Sequence, residues 1–190
     1  MKNYPAIAVL EFGSIADGIY STDAVLKKAP IAMIKSGTVS GGRYLIILGG
    51  SPASVQESMS TATGVLDSVF LSDVHERLHD AVLGKRAKCR QDSIAILETD
   101  TISSNVRATE RALKGTAVAL VEIRVAEYEM SGKAISVFNG ELHEIEAAMQ
   151  LAGERHRIIA RPHETLTQHL ADGTRFAETK PRALEGEEVS

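Results

Sequence analysis

With 190 residues, 44% of them hydrophobic and 24% charged, the chain is long enough for one medium-sized domain or two small ones. Its net charge of −4 argues against nucleic acid and against an acidic membrane as partners. A single cysteine excludes an intramolecular disulfide, and every apolar run falls short of the roughly 18 residues of a membrane helix. We therefore expect a cytoplasmic protein outside the membrane.

The first elements in the chain are a predicted strand and a predicted helix. Residues 7–12 form the apolar strand, and the helix follows with a stripe at the 3.6-residue period made of Ile15, Ile19, Thr22 and Leu26. Two β-rich runs come next, at residues 31–39 and 43–50. Ser40-Gly41-Gly42 joins them, and a glycine-rich joint of this kind is typical of a hairpin.

A second helix and a short strand complete the first half. Ser51 is a good N-cap and Pro52 a good first-turn residue. The apolar stripe predicted for this helix is Val55, Met59, Ala62 and Leu66. The short strand lies within residues 68–74, and a last short helix follows it.

The rest of the chain repeats this pattern. At a shift of 87 positions nine residues recur between residues 7–32 and 94–119, among them Ile7 with Ile94, Glu11 with Glu98, Lys27 with Lys114 and Ala32 with Ala119. The later shift is 90, so that Gly42 matches Gly132 and Gly50 matches Gly140.

The second copy predicts the same elements as the first. Its first helix carries the stripe Ile102, Val106, Thr109 and Leu113, and its second helix carries Ile145, Met149 and Ala152. Its β runs, residues 118–128 and 133–140, are joined by Met130-Ser131-Gly132. Each copy is thus a β-α-β-β-α-β unit of about 85 residues, an α+β ferredoxin-like fold with helices on one sheet. We expect one domain in residues 1–91, a second in 92–175, and a polar, flexible tail in 176–190.

Two isolated features could carry chemistry. Cys89 lies in a basic segment between the copies, which could lower its thiol pKa, but we interpret that segment as a solvated linker. Glu11 and Glu98 end the first strand of each copy without a second carboxylate at a fixed spacing. We therefore expect them to form ion pairs at a surface or an interface.

Residues 75–79 read H-E-x-x-H, the spacing that places two imidazoles and a glutamate on one helix face in zinc metalloproteases. The repeat argues against a zinc site, because His75 recurs as His163 whereas His79 is matched by Thr167. A catalytic zinc also needs a third protein ligand. We interpret His75 and His163 as structural residues at the ends of the copies, and expect no metal, no cofactor and no catalytic residue.

The segments at residues 21–31 and 108–118 resemble the "DA-x-x-K-x-A" segment of bacterial microcompartment shell proteins. The glycine-rich hairpin and "IARPHETL" at residues 159–166, similar to that family's "PRPH" ending, extend the resemblance over residues 5 to 170. Because each copy begins with its "IAVLE"-type strand, the chain resembles the tandem, non-permuted type.

The resemblance implies a homotrimer that forms a flat, six-sided tile with pseudo-sixfold symmetry. It places Lys27, Lys114 and Arg161 at the tile edges, where other shell proteins would bind. In the first copy Asp73 replaces the edge arginine, which suggests two kinds of edge.

The resemblance also implies a central pore for small polar metabolites. Its lining would be Ser40, Gly41, Gly42, Met130, Ser131 and Gly132. Glycines let backbones approach an axis closely and expose N–H groups, and Ser40 and Ser131 would add hydroxyls. Some tandem members hold an iron–sulfur cluster on a cysteine of the first turn; Ser40 occupies that position and is a poor ligand for it.

Two other functions stay open at this point. A trimeric, ferredoxin-like regulatory protein would bind a small molecule such as a nucleotide between subunits. It should carry a phosphate-binding loop, and residues 131–134 are the nearest match without the P-loop frame. An enzyme should bring a nucleophile, a base and an orienting group together, and the sequence has no recognisable spacing of that kind.

Overall fold

In a computed structural model the described residues are 4–90, 92–125, 130–175 and 181. Their strands are β1 (Ala6–Phe12), β2 (Met33–Val39), β3 (Arg43–Gly50), β4 (Val65–Leu71), β5 (Ser93–Thr99), β6 (Ala119–Arg124), β7 (Ala134–Gly140) and β8 (His156–Ile159). Their helices are α1 (Ile15–Lys28), α2 (Pro52–Met59), α3 (Glu76–Val82), α4 (Ile102–Gly115), α5 (Leu142–Ala152) and α6 (Glu164–Asp172). Each copy thus has the predicted order, and the α+β fold is confirmed.

The eight strands form two antiparallel sheets of four, ordered β2-β3-β1-β4 in the first half and β6-β7-β5-β8 in the second. All seven residues of β1 are buried, because β1 lies inside its sheet and both of its faces are covered. Ala8 and Leu10 pack toward α1 and α2, whereas Ile7 and Val9 pack with residues of α3. Among the residues described, every helix is too short or too polar to cross a bilayer.

The two halves share one hydrophobic core. Leu78 and Val82 of α3 belong to the same buried cluster as Ile102 and Val106 of α4. Backbone and side-chain hydrogen bonds reinforce this contact: the His75 N–H donates to both carboxylate oxygens of Glu110 (3.0 and 3.1 Å), and Arg77 Nη2 donates to the Leu120 carbonyl (3.1 Å). The halves therefore form one continuous packed unit.

The apolar stripes of α1 and α4 differ in burial although their sequences match. In α4 the side chains of Ile102 and Val106 are 1% exposed. In α1 the matching Ile15 and Ile19 are 38% and 56% exposed, and Leu26 is 51% exposed. The apolar stripe of α1 is therefore largely exposed, although its spacing matches that of α4. The reason is that the first half covers this face of α4, and no part of the described chain covers it on α1.

The second helix of the first half is shorter than predicted. α2 begins as expected, with the Ser51 hydroxyl accepting the Ser54 N–H (3.2 Å), but it ends at Met59. Hydroxyls of Ser60 and Thr61 donate to carbonyls of the last helical turn, which competes with helix continuation. Ala62 follows the helix and Leu66 is half-exposed in β4, so neither belongs to a helical stripe.

The repeat is also interrupted by an irregularity in β6. The register of β6 shifts between Leu120 and Glu122. Ala119 lies opposite Asn139, and Met33 lies opposite Gly49, the residue equivalent to Asn139 in the first half. Ala119 is therefore the structural equivalent of Met33, and the predicted match with Ala32 is wrong. The β run predicted for 118–128 ends at Arg124; residues 126–129 and, except for Pro181, the tail 176–190 lie outside the described residues.

Candidate functional site

The glycine turns of the two halves lie against each other. The first turn (Ser40–Gly42) is a short 3-10 turn, and its Ser40 Oγ accepts a hydrogen bond from the Gly132 N–H of the second turn (residues 130–132) at 2.8 Å. A Cβ built on Gly41 would lie 3.3 Å from the Ser131 carbonyl carbon. The structure thus brings together two segments about 90 residues apart in the sequence.

The residues of these turns differ in what they present to solvent. Gly41, Gly42 and Ser131 are exposed, whereas Ser40 and Gly132 are buried against each other. The Ser40 hydroxyl is therefore engaged within the chain.

Gly132 is required by its conformation and by its neighbour. Its φ is +84°, and a Cβ there would lie 2.5 Å from Cζ of Arg43. We expect Gly132→Ala to destabilise the chain by about 2 kcal/mol or more, because it adds backbone strain and displaces a paired guanidinium. Gly42→Ala is the control: its φ is +70° but its Cβ would meet open space, so about 1 kcal/mol is expected. Urea unfolding measures both, and equal losses would contradict the expectation.

Behind the turns lies an ion pair of the first half, Glu11 with Arg43, whose other hydrogen bonds reach the second half. Glu11 is 0% exposed, and Arg43 Nη1 donates to its Oε1 at 2.6 Å. The other carboxylate oxygen accepts the Ile102 N–H (2.9 Å) at the start of α4, where the helix dipole favours a negative charge. Arg43 also donates to the carbonyls of Asp100 and Gly132, both at 3.1 Å. The ion pair expected for Glu11 at a surface or an interface thus lies at the contact between the two halves of one chain.

The second half has the same pair in an open setting. Lys133, the counterpart of Arg43, donates to Glu98 at 2.8 Å, and Arg155 donates to the same oxygen at 2.7 Å. The hydrogen bond from Lys133 lowers the pKa of Glu98. A cleft of about 280 Å³ lies at this pair, lined by Glu98, Met130, Ser131, Lys133 and Ile135. In the first half the matching glutamate, Glu11, binds the start of α4. In the second half the corresponding place beside Glu98 is this cleft.

The two matched lysines also have different surroundings. Lys114 Nζ lies 3.0 Å from Glu110 and donates to the Asp73 carbonyl of the first half. The hydrogen bond with Glu110 raises the pKa of Lys114. Lys27 pairs with Asp23 of its own helix at 2.6 Å, and its side chain is 74% exposed. Arg161 is exposed as well.

The histidines of the H-E-x-x-H segment have structural roles. His75 is the N-cap of α3 and His163 the N-cap of α6, and the Nδ1 of each accepts an N–H two residues on, at 3.2 Å. This position explains why the His-Glu pair occurs in both copies. His79 is 1% exposed, and its Nε2 accepts the Tyr4 N–H at 3.2 Å. Within the described ranges no three His, Cys, Asp or Glu side chains come close enough to hold a metal ion.

Cys89 is not in a fully solvated linker. Its side chain is half-buried against the cluster of Ile94, Val121, Val137 and Leu170, and it lines a cleft of about 720 Å³ beside the start of α5. Burial, and secondarily the charge of Asp92, raise the pKa of its thiol, which lowers the thiolate fraction near neutral pH and argues against a reactive thiol.

We expect iodoacetamide to alkylate Cys89 severalfold more slowly near neutral pH than it alkylates a small free thiol. The raised pKa leaves less thiolate, and only the thiolate attacks. Mass spectrometry of the alkylated fraction against pH measures the rate, with the urea-unfolded chain as the control. A rate that levels off below pH 8 would contradict this expectation.

The comparisons with known proteins agree with this architecture. The BMC domain family model matches residues 6–77 and 93–166. The bacterial microcompartment shell protein PduT of Citrobacter freundii is 30% identical in an alignment 182 residues long that covers 88% of this chain and 98% of that protein. A crystal structure of a microcompartment protein from Desulfitobacterium hafniense superposes with a TM-score of 0.74 at 29% identity, covering 86% of this chain and 98% of that one.

A more distant structure shares the fold alone. The fused permuted hexameric shell protein MSM0275 from the RMM microcompartment has a TM-score of 0.57 at 18% identity, over 80% of this chain and 84% of that one. The two matched segments cover most of the chain and contain the two sheets with the helices α1, α2, α4 and α5. The chain therefore belongs to the BMC domain family of bacterial microcompartment shell proteins, with two BMC domains in tandem.

Proposed function

We propose that the protein is a structural shell protein of a bacterial microcompartment, that three copies close into a pseudohexameric tile, and that it is not an enzyme. The observation that carries the trimer is the unequal burial of matching helices. The first half of the chain covers the apolar stripe of α4, whereas the matching stripe of α1 is exposed. A second copy would cover α1 with its second half as this chain covers α4 with its first.

The cleft at Glu98 and Lys133 supports the same arrangement from the opposite side. In the first half, Glu11 accepts the N–H of Ile102 at the start of α4. By the repeat, Glu98 would accept the N–H of Ile15 at the start of a neighbour's α1. Among the described residues, the exposed face of α1 on one chain thus matches the cleft at Glu98 on the next, and a heterologous contact of this kind repeats until the ring closes.

A third matching pair lies at the sheet edges. Five of the six residues of β6 are buried, and α3 of the first half packs beside this strand. The equivalent strand β2 is partly exposed along its whole length. In the trimer, α6 of a neighbour would cover β2 as α3 covers β6, which also protects an exposed sheet edge from unwanted pairing.

The pore follows from the position of the glycine turns. Since the two turns touch within one chain, three chains would place six of them around one axis. Gly41, Gly42, Met130 and Ser131 would face the opening, and Ser40 and Gly132 would hold neighbouring turns together. Exposed backbone amides and the Ser131 hydroxyl suit small polar metabolites. Since the Ser40 hydroxyl already accepts the Gly132 N–H, it is poorly placed to bind a cofactor.

The tile edges would carry the contacts to other shell proteins. Lys27, Lys114 and Arg161 are exposed; the two lysines stand at matching places of the two halves, and Asp73 is the counterpart of Arg161. The two edge types would differ, because Lys114 lies beside Asp73 whereas Lys27 would lie beside Arg161 of a neighbour.

The tile is tested by measuring the mass of the purified protein and imaging it. We expect a trimer in native mass spectrometry, and six-sided tiles or sheets in electron microscopy after overexpression. A stable monomer at micromolar concentration would overturn the proposal. Dispersed trimers that bind a nucleotide and never form sheets would favour the regulatory protein instead.

A further inference from the structure

We infer that Asp17 of one copy pairs with Arg155 of the next copy. At this contact between chains the acidic residue is on the helix and the basic residue is on the sheet edge, the reverse of the contact within the chain. The inference rests on the proposed trimer and adds to it a specific pairing. It concerns the surface formed by the first turns of α1 and by the edge of the second sheet at residues 155–161.

The contact within the chain has its acid on the sheet and its base on the helix. Asp67 of β4 lies opposite Glu11, and it accepts hydrogen bonds from the Thr101 hydroxyl and from Arg107 Nη2 (3.3 Å) of the α4 region. Arg107 also donates to the Ser68 carbonyl at 2.6 Å.

The matching sheet edge of the second half is basic. The Glu98 N–H donates to the Arg155 carbonyl at 2.9 Å, so Arg155 lies opposite Glu98 as Asp67 lies opposite Glu11. Along this edge the positions of Asp67, Val69 and Asp73 are taken by Arg155, Arg157 and Arg161.

The matching helix is acidic where it would meet that edge. Ser14 takes the place of Thr101 as N-cap, Asp17 takes the place of Ser104, and Tyr20 takes the place of Arg107. Asp17 is exposed in the first turn of α1, and the side chain of Arg155 is 57% exposed while one of its nitrogens donates to Glu98 at 2.7 Å. Both groups are thus accessible to a partner. Their charges are complementary when the first half of one chain meets the second half of the next.

The reversal has a consequence for assembly. If α1 of a neighbour displaced α4 from its place in the first half, Asp17 would approach Asp67. If α4 met the second-half edge, Arg107 would approach Arg155. Like charges brought together at an interface are strongly unfavourable, so the two contacts cannot exchange. The charges therefore select a closed ring in which first and second halves alternate.

Charge reversal tests the pairing in the full chain. The variants are Asp17→Arg, Arg155→Asp and the double variant, and Glu146→Arg is the matched control on the exposed side of α5. Sedimentation velocity at about 0.05 and 0.5 M salt gives the trimer dissociation constant, since screening weakens such contacts. Far-UV circular dichroism checks folding, and Asp17→Asn provides a milder change if a reversal impairs it.

We expect each single reversal to raise the dissociation constant by at least about tenfold at low salt, and the double variant to recover to within about threefold of the original. Asp17→Asn should weaken the trimer less than Asp17→Arg, and Glu146→Arg should leave it unchanged. Single variants that behave like the control, or a double variant weaker than either single one, would overturn the pairing while leaving the trimer intact. An original protein that is monomeric would overturn the proposed tile itself.

Discussion

The Ile19→Asp variant is expected to be a folded monomer. Ile19 is exposed on the free face of α1, so a carboxylate there costs the single chain little. In the trimer it would be buried without a partner at the position that Val106 occupies on α4. We expect the trimer dissociation constant to rise by at least about a hundredfold, the effect of removing about 3 kcal/mol from an interface.

The matched change on α4 should act on folding instead of assembly. Val106 is 1% exposed in the core that joins the halves, and Val106→Asp would place a carboxylate there. Loss of at least about 4 kcal/mol of unfolding free energy is expected, enough to unfold many domains of this size. Urea unfolding and native mass spectrometry on both variants separate the two effects. A trimeric Ile19→Asp protein would show that α1 lies outside the interface.

The second large effect is expected at the buried ion pair. Glu11→Ala leaves the Arg43 guanidinium, whose side chain is 23% exposed, without its carboxylate, and it leaves the Ile102 N–H without its acceptor. Removing one partner of a buried pair costs about 3–5 kcal/mol, because the remaining charge stays desolvated. We expect a loss of that size in the unfolding free energy.

The repeat supplies the control for this change. Glu98 is the counterpart of Glu11, but its side chain is 38% exposed and its partners Lys133 and Arg155 reach water. Glu98→Ala should therefore cost the single chain less than about 1 kcal/mol. Measurements on monomeric protein, in the Ile19→Asp background, keep the interface out of the comparison. Equal losses for the two substitutions would contradict the difference in burial described above.

Much of the fold could be predicted because its signals are local. The stripe of α4, the cap at Ser51 and the glycine joints depend on spacings of a few residues, and each marks an element that the structure contains. The repeat was equally informative about histidine, since His75 and His163 cap equivalent helices. The repeat thus indicated a structural role for both histidines, and the fold shows the hydrogen bond by which each acts.

The candidate site was harder to predict because it depends on contacts between segments that are far apart in the sequence. Arg43 had no signal of its own, although its alignment with Lys133 and its position next to the first glycine turn could have identified it as the partner of Glu11. The half-buried state of Cys89 came from packing against distant strands, which a basic local composition does not reveal.

The sequence by itself determined that two copies of one α+β unit occur in tandem, where their turns lie, and which family the chain resembles. Only the tertiary structure decided which copy of each repeated feature is buried: Val106 but not Ile19, and Glu11 but not Glu98. The physical reason is that burial depends on a neighbour's surface. Two matching segments have different free energies when one is covered by the rest of the chain and the other is exposed to solvent.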